Sequence, residues 1–135
     1  MVDRVRAIAL CALLLAGVAH ASDGEKFPCK ASGPGGDLLD VECRVAAAAE
    51  RRMLFKADFS GSHDDTQAAI SGTLDGVPLA CEEGSKTNTQ GEDGEVSLLC
   101  RFVLRPGPGE RLLKFNVSWR HAFHTVHELQ ALPAR

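Results

Sequence analysis

Glu95–Leu104, EVSLLCRFVL, alternates along its whole length. Val96, Leu98, Cys100, Phe102 and Leu104 fall on one side, and Glu95, Ser97 and Arg101 on the other. A period of two marks a strand with one face in a core and one in water. It is the cleanest of several such runs, and the fold is read outward from it.

Downstream, Pro106-Gly107-Pro108-Gly109 breaks the strand. A second run then places Leu113, Phe115, Val117 and Trp119 inward, with His121 and Phe123 continuing the series. The last segment has two readings. Trp119, Ala122, Val126 and Leu129 also fit one face of a short C-terminal helix. Continuity of the period favours a turn near His124 and a final strand from about Val126 to Leu132.

Upstream, residues 82–94 are polar, carry three glycines and contain no apolar residue. They are expected to form a long mobile loop that presents Glu83, Lys86, Asn88, Gln90 and Asp93 to a partner. Before the loop, Asp75-Gly76 joins two alternating runs, a type I′ hairpin signal because both central positions need positive φ. Pro78 lacks a backbone donor and belongs at a sheet edge. Ala68, Ile70, Gly72 and Leu74 face inward on the preceding strand. Earlier still, Met53, Phe55, Ala57 and Phe59 alternate, as do Leu39, Val41, Cys43, Val45 and Ala47.

Six to seven short strands separated by turns predict an all-β fold, a small antiparallel β-sandwich. An immunoglobulin-like arrangement is one form open to it, although Trp119 follows the last cysteine instead of lying between two. Residues 38–135 would form this single domain. Residues 22–37, rich in Gly, Pro and charge, would be an irregular leader tied down only at Cys29.

Residues 1–21 read as a cleavable export signal: Arg4 and Arg6, an apolar run from Ala7 to Ala19, then Ala19-His20-Ala21. The product would be periplasmic or secreted, without a membrane anchor once the signal is removed. Cleavage leaves 114 residues with a net charge of −4. Basic residues are dispersed, which argues against a nucleic-acid partner.

Four cysteines remain: Cys29, Cys43, Cys81 and Cys100. In an exported chain they imply two disulfides and three connectivities. The sequence-local pairing, Cys29 with Cys43 and Cys81 with Cys100, is preferred. The rival joins Cys43 to Cys100 between the sheets. Neither leaves a thiol for catalysis.

His121, His124 and His127 form H-x-x-H-x-x-H, a candidate zinc or copper site. On a regular strand His124 would point away from the other two. The turn His63-Asp64-Asp65 offers further ligand types, although turns use such residues for capping. No G-x-S-x-G elbow is present. The sequence therefore favours a non-enzymatic exported binding or accessory domain that needs no cofactor and whose partner and oligomeric state are unassigned. A periplasmic metal-binding protein is the alternative, and an unrecognised hydrolase a further one.

Overall fold

The computed structural model describes residues 24–33, 35–61, 65–92 and 94–133. The expected signal, His63, Asp64 and Asp93 lie outside the described residues. The strands are β1 (Lys26–Phe27), β2 (Cys29–Ser32), β3 (Leu38–Ala46), β4 (Arg51–Gly61) and β5 (Thr66–Leu74). Then come β6 (Val77–Pro78), β7 (Asn88–Glu92), β8 (Glu95–Leu104), β9 (Glu110–Arg120) and β10 (Ala122–Ala131).

They form two antiparallel sheets. One has the order β1-β10-β4-β8. The other runs β2-β3-β9-β5-β6, with β7 also pairing β5. The six long strands visit the two sheets in strict alternation. That is the winding of a jelly roll, whereas an immunoglobulin domain joins neighbours in one sheet by hairpins. The sandwich expected from the alternating runs is present. The helix considered for the C-terminal segment is not: residues 122–131 are strand β10.

The core is built from the inward positions of both sheets. Val41, Cys43, Val45, Met53, Phe55, Ala57, Phe59, Leu98, Phe102, Leu113, Phe115 and Val117 are all buried. At its centre Phe55 of one sheet stacks on Phe115 of the other, ring centroids 3.8 Å apart. Phe102 tilts against Phe115 at 6.1 Å. Gly72 opposes Phe115 across the β5–β9 ladder and leaves room for that ring.

Three expectations need correction. Residues 22–37 are not an irregular leader throughout, because β1 docks on β10 and β2 on β3. Cys29 lies opposite Cys43, and Arg51 holds the preceding turn through Glu25 at 3.0 Å and lies over Phe27. Nor is 82–94 a free loop. Glu82 N–H donates to Arg101 O, Lys86 bridges Leu99, and β7 pairs β5. This strap crosses between the β8 and β5 edges and closes that flank of the sandwich. Finally, the turn after β9 falls at His121, not near His124, and Phe123 is 64% exposed instead of inward.

Both bridges are the sequence-local ones: Cys29–Cys43 and Cys81–Cys100. Cys43 and Cys100 do face inward, as the rival pairing required. Each nevertheless bonds a cysteine at its own flank. The second bridge ties the strap to β8. Asp75 (φ 50°) and Gly76 (φ 86°) make the expected I′ turn. The Asp75 carboxylate accepts from Leu112 N–H and pairs with Arg111, and these contacts lower its pKa.

Candidate functional site

In an antiparallel ladder, residues opposite one another share a face. Pairing therefore reads out the outer surface of the larger sheet as rows. Ser32, Asp40, Asn116 and Ser71 form one row. Lys30, Glu42, Lys114 and Thr73 form the next. On the other side, Leu38, Ser118, Ala69 and Asn88 make a third, and Arg120, Gln67 and Gln90 a fourth. The large apolar partners of these strands, Phe115 and Val117, point into the core and leave the outer rows mostly polar, with Leu38 the one large apolar side chain in them.

Side-chain size shapes this face. Ala69 is short among Gln67, Gln90 and Arg120, and a depression of about 280 Å³ lies over it. Ser71 and Thr73 are short beside Glu42 and Lys114, and a second of about 270 Å³ lies there. Asn116 donates to Asp40 at 3.1 Å across β9 and β3, which fixes one amide at the second depression. Asn116 also opens an Asn-x-Ser glycosylation pattern, but it sits in the middle of a strand with this bond made.

Two residues expected in the partner loop, Asn88 and Gln90, belong to this face because β7 carries them onto the sheet. Glu83 and Lys86 are exposed elsewhere on the strap. The strip's chemistry was visible in the sequence as the outward half of each alternating run. Its continuity across five strands was not, since that needs the strand order.

The histidines divide into two groups. His121 occupies the corner between β9 and β10 with φ 56°, a left-handed conformation that histidine tolerates better than most side chains. Its carbonyl accepts from Thr66 Oγ1, and its Nδ1 lies 2.8 Å from Asp65 Oδ2. His124 and His127 instead meet each other, with His127 Nδ1 3.2 Å from His124 Nε2.

A bulge brings that pair together. His124 opposes Phe59 and Val126 opposes Asp58, so Thr125 is an extra residue in β10. Its hydroxyl donates to Asp58 O at 3.0 Å. The insertion shifts the parity, and residues three apart turn to the same side. His124 stacks against Trp119 at 5.3 Å and meets Phe59 at 5.9 Å. Burial first, and then the neighbouring His127, lower the His124 pKa. Burial lowers that of His127. Among the described residues no three His, Cys, Asp or Glu side chains converge as metal ligands, so H-x-x-H-x-x-H is not one cluster.

No family model matches this chain, and no curated protein matches it in sequence. Solved structures share the outline of the fold. A family 35 carbohydrate-binding module from Cellvibrio japonicus Abf62 is 9% identical, over 86% of this chain and 92% of that one, with a TM-score of 0.46. A Xyl-CBM35 solved with a glucuronic acid-containing disaccharide is 12% identical, over 86% and 91%, with a score of 0.42. A family 35 module from Clostridium thermocellum is 10% identical, over 84% and 90%, with a score of 0.38. At this distance the likeness concerns the fold, and any ligand must be argued from this chain's own side chains.

Proposed function

We propose that this chain is an exported, non-enzymatic binding module that holds a polyhydroxylated ligand, of the oligosaccharide class, on the outer face of the larger sheet. The observation that carries the reading is the pair of depressions among ordered polar rows. Each ligand hydroxyl both donates and accepts. Asn and Gln amides answer both demands, carboxylates accept, and Lys and Arg donate. Strand spacing sets the side chains about 4.8 Å apart across the face and about 6.8 Å along it. That lattice lies within reach of several hydroxyls on one ring.

Several features favour capture over turnover. The face is carried on strands and not on loops, so its groups are held in place. Asp40, one of its two carboxylates, is already engaged by Asn116. Glu42 stands between Lys30 and Lys114 in its row. No Phe or Trp belongs to these rows, so affinity would come from hydrogen bonds and be modest. Export fits the two disulfides, which persist in oxidising compartments.

A glycan array followed by calorimetry on the mature chain tests the proposal. Gln67→Ala and Asn116→Ala are expected to weaken binding of the selected oligosaccharide at least tenfold, with unchanged unfolding midpoints. Absence of saccharide binding at millimolar ligand, or undiminished binding by both variants, would refute it.

A further inference from the structure

From the geometry of β10 we infer that His124 and His127 form a two-imidazole chelate for a divalent transition ion, copper(II) above zinc. This site is separate from the sheet face and does not rest on the function proposed for it.

The facing nitrogens, His127 Nδ1 and His124 Nε2, are 3.2 Å apart. Metal–imidazole bonds are about 2.0–2.1 Å long, so two nitrogens at this separation subtend about 100° at a shared ion. That angle lies between the square-planar and tetrahedral values. The pair is already drawn together; binding an ion requires the ring that carries its proton on the facing nitrogen to take the tautomer protonated on its other nitrogen, and both rings to swing their lone pairs to one point. The Thr125 bulge holds both side chains on one side of the strand, and Trp119 and Phe59 back His124.

No third protein donor converges among the described residues, which leaves the other coordination positions to water. Affinity should follow the order of divalent ions, with copper(II) above zinc. His121 takes no part, because it faces Asp65 at the corner.

Trp119 is the single tryptophan of the chain and stacks on His124, so it reports on the site. The experiment titrates the tag-free mature chain with copper(II) and follows tryptophan fluorescence and electron paramagnetic resonance. One equivalent should quench Trp119 at micromolar concentration, and the spectrum should show coupling to two nitrogens. His124→Gln and His127→Gln should each weaken binding at least tenfold, whereas His121→Gln should leave it unchanged.

Unquenched fluorescence at millimolar copper(II) would overturn the assignment. So would equal loss in His121→Gln, or coupling to a nitrogen count other than two. The nitrogen count is read on the wild-type chain, so it decides even if a variant fails to fold.

Discussion

Gly72→Ala tests the packing at the centre of the sandwich. A Cβ at Gly72 would lie 2.8 Å from Cδ1 and Cε1 of Phe115 and 3.4 Å from Leu79 Cδ2. Carbon atoms in contact prefer about 3.5–4.0 Å, so the ring must retreat by roughly 1 Å. Phe115 has little freedom to do so. Phe55 stacks on it at 3.8 Å, Phe102 tilts against it, and Val41 opposes it on β3. Overpacking of this kind costs about 1–3 kcal/mol. Replacing glycine also restricts the unfolded chain, which returns about 0.4–1 kcal/mol. A net loss of about 1–2 kcal/mol remains, or about 4–8 °C in midpoint for a domain of this size. Thermal and urea unfolding under non-reducing conditions, followed by Trp119 fluorescence, would measure it. Phe115→Leu in the same chain should recover part of the loss, a coupling of about 0.5 kcal/mol or more. An unchanged or higher midpoint for Gly72→Ala would show that the ring is not confined, and the account of the core would fail.

Two further predictions use the bridge at the strap and the histidine pair. Replacing Cys81 and Cys100 together by serine should cost about 3 kcal/mol, by the chain-entropy argument for a loop of this length. Amide exchange should then speed up first at residues 82–87; uniform exchange rates with no loss of stability would count against the strap as a bridge-dependent element. In chelator-containing buffer, stability should fall between pH 7.5 and 5.5. Both imidazoles have folded pKa values below the ordinary 6.5, so the unfolded chain binds more protons in that interval. Their contribution is therefore present above pH 6.5 and is lost as pH falls through the folded values. The double variant His124→Gln/His127→Gln should flatten the profile, and a wild-type chain that gains stability on acidification would contradict the assignment.

The fold was legible where one physical rule acts alone. Burial of one sheet face imposes a period of two, and β3, β4, β5, β8 and β9 show it in their residues. Asp75-Gly76 was legible because few residue pairs accept two successive positive φ angles. The short strands were not. β1, β2 and β7 have no core face of their own and are strands because longer neighbours offer them an edge. Polar composition at 88–92 reads as a loop, although the same composition suits the wet side of a sheet.

The site residues hid for a related reason. His121 continues the inward parity of β9, and the corner that ends it depends on a backbone angle a histidine side chain does not announce. Once the chain turns there, β10 starts in the other sheet with Phe123 outward and His124 inward. Thr125 then adds one residue and shifts the parity, so that His127 follows His124 to the same side. A strict alternation would have separated the two imidazoles. The pair exists because two departures from regular strand geometry fall within five residues. Deleting Thr125 leaves His124 and His127 two residues apart and still opposite Phe59 and Ala57, so copper-dependent quenching of Trp119 should survive it. The double substitution Val126→His/His127→Val keeps two imidazoles but moves one opposite Asp58, on the other side of the strand, and should abolish the quenching. Persistence of quenching in that double variant would place the copper elsewhere and sever the link drawn between the ladder register and the chelate.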